Sequence, residues 1–142
     1  MINKFRSFTT LALVLVLFAT SGCSAPKPAG LTDEQVTGLT ENVLKALDAN
    51  DFQSFTQDFS DQMNAAFSQG QFDTLRTMVQ TASGKYISLD KPALTNNQGY
   101  AVYRFPAKYE QETVYVTVTF LVGGQKIEGF FLDSSNLRKI PK

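Results

Sequence analysis

Among side chains that could do chemistry, this chain of 142 residues offers one cysteine, thirteen carboxylates and no histidine. Without imidazole there is no Ser-His-Asp or Cys-His relay and no histidine-ligated metal site. Hydrolysis would have to rest on carboxylates, tyrosine or lysine. The candidates reduce to Asp58, Asp61, Glu110, Asp133, Tyr103 and Arg104. No two of them stand at a spacing that forces proximity, and each reads equally as a cap, a turn residue or a solvated charge. The sequence therefore assigns no catalytic residue, no metal ligand and no cofactor, and a non-enzymatic role is the expectation.

Cys23 offers a different chemistry. Lys4 and Arg6 precede an apolar stretch from Leu11 to Ala19, and small residues follow up to the cysteine. That layout is a secretory signal over residues 1–22. Thr20-Ser21-Gly22-Cys23 resembles a lipobox, in which the cysteine takes a thioether-linked lipid and becomes the new N-terminus. Thr20 stands where leucine is usual. An uncleaved membrane span would need about 20 apolar residues, and the stretch is about half that. Cleavage that leaves a free thiol would strand an exported cysteine with no disulfide partner in the chain. Acylation of Cys23 is the preferred reading, with the membrane as a partner through that anchor and a location outside the cytoplasmic membrane.

What remains is enough for one domain and not two. Downstream of the signal there are 11 basic and 13 acidic groups, which argues against nucleic acid as a partner. The charge is uneven, with eight acidic and two basic groups over residues 31–80 and five acidic and eight basic over 84–142. Two complementary halves of one domain explain the split; a basic sheet face attracting an anionic ligand or the membrane surface is the sharper alternative.

The elements that must position these groups are legible in turn. Residues 23–30 are the lipidated cysteine and a Pro-rich tether, read as an extended spacer, and 31–142 form a single domain. Thr32 and Gln35 make a capping box for a first helix, with Val36, Leu39, Val43, Leu44 and Leu47 on its apolar face and Glu41–Lys45 as an i,i+4 pair. Phe52, Phe55, Phe59, Met63 and Phe67 then recur every three or four residues, with a break expected near Ser60-Asp61. Ser68 and Gln71 box a third helix that buries Phe72, Leu75, Val79 and Ala82 and stops at Gly84.

From Lys85 the period changes to two. Strands are expected at Tyr86–Leu89, Tyr100–Ala107, Thr113–Val122 and Lys126–Leu132, with Asn96 to Gly99 as a turn and Gly123-Gly124 as a two-residue primed hairpin. Val114, Val116, Val118, Phe120 and Val122 should face inward, and Thr113, Tyr115, Thr117 and Thr119 outward. Alternation turns Arg104 away from Tyr103 unless a bend redirects it, and Pro106 implies a bulge or bend in its strand. Helices first and antiparallel strands after define an α+β fold, with N-terminal helices packed on a curved four-stranded antiparallel sheet.

Asn50-Asp51-Phe52, Phe59 to Met63, Gly84-Lys85-Tyr86 and Gly124 to Phe130, in that order and spacing, resemble a family of exported or lipid-anchored domains of unknown function, number 3887 in that series. The resemblance implies a cystatin-like, nuclear-transport-factor-2-like architecture, a long helix and companions on a curved sheet, often around a cone-shaped cavity. It implies no catalytic residues. Some relatives carry the domain ahead of an α/β-hydrolase, but this chain has no G-x-S-x-G elbow.

Two binding readings follow. In the first, Phe52, Phe55, Phe59, Phe72, Tyr103 and Phe105 line a pocket for a small ligand or peptide, with solid core as the alternative for each ring. In the second, the Tyr/Thr face of the third strand engages an envelope protein or assembles with it. An exposed apolar patch on that face favours the second and a deep enclosed pocket the first. A carboxylate-based enzyme ranks third.

Overall fold

Thr32 opens the first helix as its composition demands. In the computed structural model, which describes residues 25–26 and 28–141, α1 spans Asp33–Ala49. Thr32 Oγ1 accepts from Gln35 N at 3.2 Å and Gln35 Oε1 accepts from Thr32 N at 2.9 Å, closing the capping box. Asn50, at φ 60°, ends the helix in the left-handed region. Val36, Val43, Leu44 and Leu47 are buried, joined by Thr40, whose hydroxyl satisfies itself on Val36 O at 2.8 Å. The aromatic stripe divides into α2 (Phe52–Thr56) and α3 (Asp61–Ala66), each with its own cap, Asp51 and Ser60. The break falls where Ser60 N donates to Ile127 O and Ile127 N to Asp58 O, pinning the link to the sheet. Helix α4 (Gln69–Ala82) carries the second capping box, from Ser68 to Gln71. Gly84 follows at φ +79°, a left-handed conformation that favours glycine.

Five strands follow, not four: β1 (Tyr86–Leu89), β2 (Ala93–Asn97), β3 (Tyr100–Tyr109), β4 (Thr113–Leu121) and β5 (Ile127–Asp133). The order across the antiparallel sheet is β1-β3-β4-β5, and β2 pairs with the same edge of β3 as β1. The edge partner is thus one strand broken at Asp90-Lys91-Pro92, and Asn96-Asn97, expected in the turn, ends β2 opposite Tyr100 and Ala101. A short 3-10 helix, Leu137–Lys139, closes the chain. The class is α+β, with the helices N-terminal to the strands and packed on one face of the sheet.

Pro106 makes no bulge. The β3–β4 register runs unshifted from Tyr100↔Leu121 to Lys108↔Thr113, and the irregularities lie instead at Tyr86/Ser88 and Thr119/Phe120. Pro106 O accepts from Asp90 N at 2.9 Å, so the ring nitrogen also faces the β1/β2 edge, at the gap between those strands. The missing N–H therefore falls where the neighbouring ladder is already interrupted.

Alternation holds along both central strands. Val114, Val116, Val118 and Phe120 are buried, as are Ala101, Tyr103, Phe105 and Ala107. Arg104 and Tyr115 are exposed on the opposite face, and Thr117 and Thr119 there are half-buried. Val122 departs from the expected inward set because β4 ends at Leu121, leaving it exposed. The β4–β5 connection is not the two-residue primed hairpin. Gly124 N closes a turn on Leu121 O at 2.8 Å with Gly123 at φ +75°, the type II arrangement.

The tether engages the domain earlier than its composition suggests. Ala29 is 5 % exposed and its N–H donates to the Tyr103 hydroxyl at 3.1 Å. Pro28 O accepts from Gly123 N, and Gly30 N donates to Gly124 O at 2.7 Å.

Candidate functional site

The six rings proposed to line a pocket lie at the junction of helices and sheet. Phe55, Phe59, Phe72, Tyr103 and Phe105 are at most 2 % exposed, and Phe52 is partly buried against them. Phe55 is the hub. Its centroid lies 5.0 Å from Phe72, 5.2 Å from Phe59, 5.4 Å from Phe67 and 5.6 Å from Phe130, mostly edge-to-face. Phe52 reaches Phe72 at 5.5 Å, and Tyr103 meets Phe120 at 5.9 Å. The space between sheet and helices is thus occupied by ring packing. A cleft of about 660 Å³ lies elsewhere, between the first half of α1 and the β1–β2 corner, lined by Asp33, Glu34, Glu41, Asp90 and Lys91 among others, and touches none of the six.

The groups singled out for catalysis are dispersed. Asp61 is the first residue of α3, Asp58 accepts from Gln57 Nε2 at 3.3 Å ahead of it, and Glu110 accepts from Lys85 N at 3.0 Å. Asp133 is paired with Arg138, whose Nε donates to Oδ1 at 2.7 Å. That hydrogen bond is the largest effect on its carboxyl; burial opposes it, the Arg138 and Arg104 charges add to it, and the net result lies below the usual carboxylate range. The Tyr103 hydroxyl is turned to the tether, and Arg104 lies over the Tyr115 ring at 4.1 Å on the other face. Among the described residues no group of three or more acidic or cysteine side chains converges as a metal site.

Two polar clusters escape sequence reasoning because their members are far apart in the chain. Glu112 receives Ser83 Oγ at 2.7 Å, Ser134 Oγ at 2.6 Å and the Asn136 amide at 3.2 Å. It ties the end of α4 to the segment after β5. Burial pushes its carboxyl up, but the bonds from Ser134, Ser83 and Asn136, with Lys139 nearby, outweigh that and hold it below its ordinary 4.5. A carboxylate so satisfied is a clasp and a poor base. In the second cluster Tyr86 Oη donates to Glu41 at 3.3 Å, and Tyr86 N donates to Asp48. Burial, then the Glu41 charge and hydrogen bond, raises the Tyr86 pKa; burial, then Asp48 and Tyr86, raises that of Tyr109. Both phenols stay protonated, which suits them to packing rather than nucleophilic attack.

Removing the clasp has a pH signature. Because the folded pKa of Glu112 is lowered, its contribution is complete above the unfolded carboxylate's pKa and is lost as pH falls through the folded value. Glu112→Ala is expected to cost about 1–3 kcal/mol at pH 7 by stranding buried donors. The gap from wild type should narrow progressively below about pH 4.5 in urea unfolding. A gap independent of pH would show that the carboxylate charge contributes nothing.

The outer sheet face is the remaining site. Arg104, Thr117 and Phe131 form one cross-strand row, and Pro106, Tyr115 and Asp133 the next. Phe131 is 63 % exposed and Tyr115 40 %. Arg104 stacks on Tyr115 and Arg138 pairs with Asp133 at the margin, an aromatic centre with a charged border.

Rings packed between helices and sheet and an open, aromatic outer sheet face characterise this small α+β domain. The chain belongs to a family described as a protein of unknown function (DUF3887), whose sequence model matches residues 40–130, from within α1 to Phe130 in β5. No curated protein matches it. Cys23 and residues 1–22 lie outside the described residues, and among the described residues no helix is long and apolar enough to cross a membrane.

Proposed function

We propose that this chain is a lipid-anchored extracytoplasmic interaction module, held at Cys23, which binds an envelope protein through the outer face of its sheet and performs no catalysis. The observation that carries the reading is Phe131, a large ring 63 % exposed in the middle of a strand and bordered by Arg104, Thr117 and Tyr115. Aromatic residues and arginine are the types enriched in protein interfaces, and a row of them on a rigid strand is pre-organised for binding. A small ligand held by the aromatic stripe is the weaker reading, because those rings pack against one another. The anchor rests on the lipobox-like Thr20-Ser21-Gly22-Cys23.

The test replaces Phe131 with a photo-crosslinking phenylalanine analogue in the full chain and recovers partners from intact envelopes. A specific crosslink at position 131 that is absent at Thr74 on α4, and a partner affinity lowered at least tenfold by Phe131→Glu with an unchanged melting temperature, is the expected result. Cys23→Ser should move the chain from the detergent phase to the aqueous phase. Turnover of an ester, peptide or glycan that disappears on mutating one carboxylate overturns the non-enzymatic reading.

A further inference from the structure

Building on the lipid anchor proposed above, we propose that the end of the sheet carrying Tyr100, Leu121 and Val122 lies against the lipid surface and fixes the orientation of the domain on its membrane. Tyr100 and Leu121 are cross-strand partners, and Val122 N donates to Gly99 O at 3.0 Å, so the three side chains share one end of the sheet. They are 38, 47 and 38 % exposed.

The N-terminal segment is attached at this same end. Pro28 lies beside Gly123 and Gly30 beside Gly124, two bonds that run in the same sense, so the chain upstream of Pro28 departs on the Val122 side. A Cβ on Gly30 would lie 2.2 Å from Gly123 O, a close approach that only glycine permits. Four residues, 24–27, separate Cys23 from Pro28. Five peptide steps span at most about 18 Å. An acylated Cys23 therefore keeps this end of the sheet within about 18 Å of the headgroups, whichever way the domain tumbles. Tyrosine and aliphatic side chains gain by entering that interface, and the exposed Lys126 in the same connection is favoured by an anionic leaflet. Phe131 stands opposite Thr117, four residues back along β4, roughly 13 Å from this end. By alternation Tyr100 and Leu121 lie on the same outer face as Phe131, so the lipid contact takes the end of that face and leaves Phe131, further along the sheet, for a partner.

The experiment uses the full, acylated chain, in which Cys23 is blocked and one new thiol can be labelled. An environment-sensitive fluorophore is placed at Val122→Cys and, in a second protein, at Gln111→Cys in the turn at the other end of the sheet; Leu121→Cys replaces the first if it folds poorly. Each is bound to vesicles of three parts phosphatidylcholine to one part phosphatidylglycerol containing a headgroup-level nitroxide lipid. Quenching several-fold stronger at 122 than at 111 is expected. Equal quenching, or none at 122 in protein that intact mass shows to be acylated and that sediments with the vesicles, overturns the orientation and leaves the anchor standing. An unacylated Cys23 with no vesicle binding overturns the anchor, and the orientation with it. A label at 122 that is unquenched on vesicles but shielded from aqueous iodide in native envelopes assigns this end to a protein and overturns the lipid assignment.

Discussion

Val118→Asp is expected to unfold the domain, whereas Thr117→Asp, one residue earlier, should cost no more than about 1 kcal/mol. Val118 is fully buried and directly opposite Tyr103 on one neighbour and Phe130 on the other. A carboxylate there enters an apolar layer, and an unpaired buried charge costs several kcal/mol, a large part of the total stability of a domain this size. Thr117 points to the outer face between Arg104 and Phe131, where water is accessible and the guanidinium favours an anion. Urea unfolding followed by circular dichroism separates the two variants. Similar midpoints for both would mean that the register or the burial of β4 differs from that described, and a one-residue slip, which exchanges the faces, would make Thr117→Asp the disruptive variant.

That contrast was legible in the sequence because period-two alternation of Val and Thr leaves only one face for the core. The capping boxes at Thr32 and Ser68 were legible for a related reason: both partners lie within three residues, so the chemistry is local. What the sequence hid is non-local. Strand β2 has one half-buried side chain, Leu94, among exposed neighbours, so it shows no apolar alternation, and its Asn96-Asn97 reads as turn chemistry. Its extended form comes from the ladder offered by β3. The Glu112 clasp joins residues 29 and 22 positions away, and the Tyr103 hydroxyl meets Ala29 across 74. No window along the chain contains such pairs. Pro106 signals a distortion only beside a continuous neighbour, and the edge beside it is broken at Asp90-Lys91-Pro92, a break between distant residues that no local pattern marks.

The aromatic stripe poses a harder problem, because rings at helical spacing look alike in a core and in a pocket. Phe55→Ala separates the two. Phe55 is fully buried with four rings within 5.6 Å, so truncation is expected to cost about 3–5 kcal/mol and lower the melting temperature sharply. If the ring only lined a preformed pocket, its loss would enlarge that space at a cost of about 1 kcal/mol, as at a surface position. A second measurement tests the same distinction from the other side. An apolar void left in a packed core stays dry and accepts small aromatic molecules, which then stabilise the folded state by mass action. Benzene or indole should therefore raise the melting temperature of Phe55→Ala and leave wild type unchanged. Stabilisation of wild type by the same compounds, abolished in the variant, would instead assign a natural cavity to Phe55 and restore the small-ligand reading over the surface one.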